Sequence, residues 1–170
     1  LFRSTADRPG APGGWFEDDR AALGLVCRLT EALAAEDVRY CHWKSNNALD
    51  RSASGENDLD LLVSRADIPR FTAILRRLEF KQARAPADKD LPGVLDFFGY
   101  DQGADKLVHV HAHYQLILGH DRTKNHRLPI EGAYLASAVA GDFFRVPAPE
   151  YEFVVFVIRM MLKHSTWDVM

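Results

Sequence analysis

Apolar residues in the first part of the chain recur at helical spacing. From about Asp18 to Glu36 they fall at Ala22, Leu25, Val26, Leu29 and Leu33, which predicts a surface helix with one buried stripe. Val38-Arg-Tyr-Cys-His-Trp43 alternates and is rich in β-formers, so it is expected to be the first strand. Ser45 and Asn46 suit the N-terminus of a short helix, and Ser52-Ala-Ser-Gly55 reads as a turn. The next strand, Gly55 to Val63, alternates Asp58 and Asp60 with Leu59, Leu61 and Val63. Ser64 is expected to cap a helix with Asp67 as its capping-box partner, and Pro69 is tolerated in the first turn. The stripe of that helix is Ile68, Phe71, Leu75 and Leu78. Strands are expected at Phe80 to Ala85, Val94 to Tyr100 and, longest of all, Lys106 to Leu118, with a tight turn at Asp101 to Asp105. A polar loop, a short helix from Ile130 to Val139 and an extended piece from Asp142 to Val146 follow. Pro147 and Pro149 then lead into an apolar helix from about Glu150 to His164. This order predicts an α/β (α+β) fold: a mixed β-sheet flanked by helices, with a helical C-terminal part.

Length adds domain organisation. With 170 residues the chain fits one domain. Residues 1–16 hold few apolar anchors and read as a flexible arm, 17–147 as the α/β domain, and 148–170 as the start of a helical region. The chain begins at Leu and ends without a helix-stop signal, so a piece of a longer protein is expected. The apolar stretch Phe153 to Leu162 would then pack on a downstream domain or on a second copy. A formal charge of −3 and the lack of a basic stripe with interleaved aromatics argue against a nucleic-acid substrate. No apolar run is long enough to cross a bilayer, and no membrane partner is expected. Cys27 and Cys41 are expected as reduced core cysteines, which suits a cytoplasmic location.

The chemistry centres on the Asp58-Leu-Asp60 alternation. Both carboxylates leave one face of the strand, about 7 Å apart, and repel unless something positive lies between them. A hard divalent cation such as Mg²⁺ or Mn²⁺ is the usual answer. The same pattern also describes a half-exposed edge strand with two solvated Asp. Upstream, Lys44-Ser45-Asn46 joins the first strand to a short helix whose N-terminus suits a phosphate, although Lys44-Ser45 alone also suits a solvated turn. Downstream, His109, His111 and His113 alternate along the long strand and share a face. Such a row could equally be hydrogen-bonded polar core. A His-x-x-x-His pair on a helix and a His-x-His-x-Asp-His run are both absent, which argues against an all-His/Asp metal hydrolase. Lys124 and Asn125 in the polar loop could close over a triphosphate, and His164 reads as a cation near a helix C-terminus.

A strand, a Ser-bearing turn, a spacer and an Asp-x-Asp strand together resemble the nucleotidyltransferase superfamily of the DNA polymerase β type. His42-Trp43-Lys44-Ser45-Asn46 followed by Asp58-Leu-Asp-Leu-Leu-Val63 and a His-rich third strand is closer still to a bacterial group of nucleotidyltransferase-like proteins, some fused to a kinase-like domain. The resemblance covers about residues 20–165. It implies transfer of a nucleoside monophosphate from a nucleoside triphosphate to an acceptor that the sequence does not identify. It also implies a metal ion (Mg²⁺ or Mn²⁺, with Zn²⁺ as a further candidate) on Asp58 and Asp60, and phosphates held by Lys44, Ser45, Asn46 and Lys124.

Two departures change what is expected. The family's turn glycine is Lys44 here, so the turn must form without that glycine's freedom at φ > 0. The family's third carboxylate is also replaced, with His111 the best match and His109 next. Neutral imidazole could ligate the metal or act as general base, but it adds no negative charge and shifts preference toward Mn²⁺ or Zn²⁺. A module that binds a nucleotide or sugar phosphate without catalysis, and an interaction domain, are the competing expectations.

Overall fold

The computed structural model describes residues 22–84, 91–119 and 126–163. The fold is α+β, with a five-stranded mixed sheet at its centre. In chain order the elements are α1 (Gly24–Ala35), β1 (Tyr40–His42), α2 (Leu49–Ala53), β2 (Leu59–Val63), α3 (Ile68–Arg77), β3 (Lys81–Ala83), β4 (Val94–Asp101) and β5 (Lys106–His113). Two small hairpin pairs and two helices complete them: β6 (Ile117–Leu118), β7 (His126–Arg127), α4 (Glu131–Ala136), β8 (Val139–Ala140), β9 (Arg145–Val146) and α5 (Pro149–Lys163).

The sheet order is β1-β2-β5-β4-β3. Only β2 and β5 run parallel; the other neighbours are antiparallel. The parallel pair needs a long crossover, and the chain supplies it with α3, β3 and β4. One face of the sheet carries Leu59, Leu61 and Val63 of β2 with Val108, Val110 and Ala112 of β5. Leu29 and Leu33 of α1 and Phe71, Ile74 and Leu75 of α3 close over them. That face is a continuous apolar core, and it fixes the register, since a one-residue slip of β2 would bury Asp58 and Asp60 instead.

The opposite face is divided. Cys41 and Leu62 lie under Leu116, Leu118, Tyr134 and Val155, which the small hairpins, α4 and α5 bring over the β1–β2 side. Beyond Leu62 the same face turns polar, with Asp60, Asp96, His109 and His111 half-buried. The outer side of α5 leaves Phe153, Phe156 and Met161 exposed, whereas Val155 is buried. No helix among the described residues is long and apolar enough to cross a membrane.

Several expectations need correction. The strand expected over Lys106 to Leu118 ends at His113, and Ile117–Leu118 instead pairs with β7. The Gly55 to Val63 strand begins only at Leu59, so Asp58 sits at its mouth. β2 is an interior strand, which removes the half-exposed edge reading. Cys27 is exposed on α1; only Cys41 is buried, and burial pushes its thiol up to about 12. Ser64 makes no capping bond and Asp67 forms no capping box. Asp67 is buried and turns to Arg39 and Arg70, with Arg39 Nε 3.0 Å from Asp67 Oδ2, so it ties the start of α3 to β1. The N-terminus of α1 is satisfied from across the fold: the Leu25 N–H donates to Asp101 Oδ2 at 2.6 Å. Lys124, Asn125 and His164 lie outside the described residues, as do residues 1–21 of the expected arm and first helix.

Candidate functional site

The site begins where β1 ends. The Trp43 N–H donates to the Asp60 carbonyl at 3.1 Å, which holds the turn against β2. Ser45 then takes a left-handed conformation, φ +54°, and Asn46–Ala48 form a single 3₁₀ turn before α2. The left-handed residue of this turn is therefore a serine, directly after Lys44. Neither Ser45 nor Asn46 caps the helix through its side chain. Asn46 Oδ1 instead lies 2.8 Å from His42 Nδ1, which puts the ring proton of the fully buried His42 on Nδ1. Burial lowers the His42 pKa and keeps that ring neutral.

Between α2 and β2 the chain turns through Gly55, at φ +74°. A Cβ there would also meet Leu23 Cδ1 at 2.7 Å, so both backbone and packing call for glycine. Ser52 Oγ donates to the Asp58 carbonyl at 3.2 Å and steadies the approach to β2. Ser45, Ser52, Glu56, Asn57, Asp58 and Asp60 line one cleft of about 310 Å³. The turn serine and both candidate metal-binding carboxylates thus share a single opening, with Asp58 exposed at its rim and Asp60 deeper.

The histidines project from β5 onto the same face. His109 lies between two acids: Nδ1 is 2.8 Å from Asp58 Oδ1 and Nε2 is 2.8 Å from Asp96 Oδ1. The ring thereby bridges the mouth of β2 and the neighbouring strand β4. The ring also stacks on Phe98, 4.4 Å between centroids. His111 Nδ1 is 3.1 Å from Asp60 Oδ1, and its Nε2 faces Asp96 Oδ1 at 3.9 Å. His113 Nε2 is 3.3 Å from the same Asp60 oxygen, and Trp43 packs edge-on against its ring.

Lys44 is the remaining charge. Its Nζ lies 2.8 Å from Asp60 Oδ1 and 3.2 Å from His113 Nε2, and 4.7 Å from the centre of the Trp43 ring. The amine expected at the phosphates is therefore turned onto the carboxylate. Burial by itself raises the Asp60 pKa, but the bonds from His111 and His113 and the charge of Lys44 outweigh it and hold the carboxyl well below the usual range. Burial lowers the His113 pKa to about 3, so its ring is neutral near pH 7.

The structure brings together Asp58, Asp60, His109, His111, Lys44 and Ser45, with Asn46 one step behind in a bracing role. Two residues were not singled out from the sequence as site residues. His113 was in the row of three but was not chosen as a ligand. Asp96 was missed altogether, although it is the one acid between Leu95 and Phe97 in a strand of β-formers. Its parity with Phe98 and Tyr100, opposite to Phe97 and Gly99, is the signal that could have marked it.

No protein-family model matches the chain, and no curated protein or solved structure matches it at a significant level.

Proposed function

We propose that this chain is a nucleotidyltransferase-like domain that moves a nucleoside monophosphate from a nucleoside triphosphate to an acceptor hydroxyl or phosphate. One observation carries the reading: Ser45, Asp58 and Asp60 line the same cleft, with the histidines of β5 on the adjoining strand. The donor set fits a divalent ion (Mg²⁺, Mn²⁺ or Zn²⁺), since carboxylate oxygens lie beside imidazole nitrogens. Such an ion, when bound, would neutralise charge on the phosphates and on the leaving pyrophosphate. Asp58 and Asp60 would hold it. Ser45 would face the β- and γ-phosphates, with Lys44 once its amine leaves Asp60 and with Asn46 bracing the turn through His42. His111 would accept the proton of the acceptor hydroxyl. A cytoplasmic location goes with this reading, since Cys27 and Cys41 are both free thiols.

The test is calorimetric titration of nucleoside triphosphates with Mg²⁺, Mn²⁺ or Zn²⁺, followed by a pyrophosphate-release assay. Metal-dependent binding and release, both abolished in Asp58→Asn and Asp60→Asn variants that still fold, is the expected result. Binding unchanged in those variants would show that the site has been misassigned. A second reading, a nucleotide- or sugar-phosphate-binding module without catalysis, is favoured by the Lys44–Asp60 ion pair and by a histidine where the family carries an acid. Binding without release would decide for it.

A further inference from the structure

Three ligand atoms converge more tightly than a phosphate site needs. Asp60 Oδ1, His111 Nδ1 and His113 Nε2 form a triangle with sides of 3.1, 3.3 and 3.3 Å. Among the described residues these three offer one ligand atom each, all within 4.8 Å of one another. Ligands about 2.0–2.1 Å from a tetrahedral zinc ion stand about 3.3 Å apart. Adjacent ligands of an octahedral magnesium ion, at a similar bond length, stand about 2.9 Å apart. The triangle matches the tetrahedral spacing better. Its chemistry agrees, since two imidazoles and one carboxylate favour zinc or cobalt over magnesium.

The supports are those of a built site. Asp60 and His111 are paired in register on neighbouring parallel strands, and His113 follows two residues along on the same face. Trp43 holds the His113 ring edge-on, 4.9 Å between centroids. Asp96 lies on the far side of His111, 3.9 Å from its Nε2, and is hydrogen-bonded to His109. The Lys44 ammonium touches two of the triangle's three corners. It supplies the positive charge that two convergent imidazoles and a carboxylate would otherwise lack.

We propose that Asp60, His111 and His113 form a tetrahedral-type site for a divalent transition metal of the zinc or cobalt class, and that Lys44 holds the site closed as a competing internal cation. The inference concerns the same sheet face as nucleotidyl transfer but does not rest on it. An ion binding there must take the Asp60 oxygen from the ammonium. Removing the amine therefore tightens metal binding, whereas removing an imidazole weakens it.

The experiment is titration of the metal-free protein with Co²⁺, read by its visible d–d absorption, with Zn²⁺ displacement as the check. The expected result is four-coordinate bands at one equivalent. His111→Ala and His113→Ala should weaken binding by more than the roughly 10–100-fold that an orienting partner costs. Lys44→Met should tighten it about tenfold, equivalent to about 1.4 kcal/mol. His113 is buried and its alanine variant can fail to fold, in which case the half-buried His111 decides. Bands absent from both the parent and Lys44→Met would overturn the proposal. Bands retained in His111→Ala would place the ion elsewhere and overturn it too. Unchanged or weaker affinity in Lys44→Met would overturn the role of the lysine. Pyrophosphate release with Mg²⁺ is scored separately: cobalt bands without release remove the transfer reading alone, and release without bands removes this one alone.

Discussion

Asp60 and Asp96 lie in one row across the sheet, each paired in register with His111 on the strand between them. Two carboxylates that would repel if adjacent are separated by an imidazole that faces both, at 3.1 and 3.9 Å. A second carboxylate therefore shares this polar face with Asp60, one strand beyond β5.

With His109 Nε2 at 2.8 Å and His111 Nε2 at 3.9 Å, Asp96 is a candidate positioning residue for both rings. Asp96→Asn keeps the shape and removes the charge. Pyrophosphate release and Mn²⁺ affinity are expected to fall about 10–100-fold, as for other groups that orient ligands. Assays of the folded variant at several pH values provide the check. If Asp96 orients His111, the pH–rate profile shifts as well as the maximum rate. A loss of thermal stability with an unaltered profile would give Asp96 a purely structural role.

Asp67 carries a prediction about stability rather than chemistry. It is buried, and its oxygens meet Arg39 and Arg70, whose side chains remain largely exposed. Asp67→Asn leaves two arginines that water can serve, so the expected cost is about 1–2 kcal/mol, below that of breaking a fully buried pair. Denaturant unfolding would measure it.

The same residue sets part of the acid limit. Burial raises the Asp67 pKa, but Arg70 and Arg39 outweigh it and lower it; the Leu25 N–H does the most to lower that of Asp101. A carboxyl that is more acidic folded than unfolded contributes stability in full above the ordinary carboxylate range. That contribution disappears as pH falls through the folded value, because the unfolded chain takes up the proton first. Stability is therefore expected to fall with acidification below about pH 4. Asp67→Asn should show a shallower fall over that range, and an identical slope would contradict the assignment.

Gly99 lies on the apolar face of β4. A Cβ there would stand 2.7 Å from Phe80 Cε1 and 2.8 Å from Leu25 Cδ2. Gly99→Ala is expected to cost about 1–3 kcal/mol by overpacking, seen as a lower denaturation midpoint at unchanged m. A neutral result would mean that α1 can slide away from the sheet at little cost.

Much of the fold was legible because periodicity reports burial directly. Leu25, Val26, Leu29 and Leu33 are the buried stripe of α1, and the alternation in β2 puts Leu59, Leu61 and Val63 on one core face and Asp60 on the other. Ser64 and Asp67 misled because a capping box is a local pattern, whereas Asp67 is claimed by Arg39, 28 residues earlier in the chain. Leu118 read as a continuation of β5 because its β-forming run does not show that the pairing partner changes after His113. Asp96 was missed for a related reason. A single acid in a strand announces nothing until the register is known, and here the register sets it opposite His111.

Ser45 holds a backbone angle that glycine would occupy without strain, and it does so at the lip of the cleft. Ser45→Gly is expected to raise thermal stability by up to about 1 kcal/mol and to weaken phosphate binding through loss of the hydroxyl. Differential scanning calorimetry and nucleotide titration on one sample would resolve the two effects. A variant that melts lower would mean that the hydroxyl supports the turn itself. A variant that melts higher and binds worse would identify this position as a compromise in which durability has been given up for recognition, and would mark it as a place where selection for heat resistance alone would erode activity.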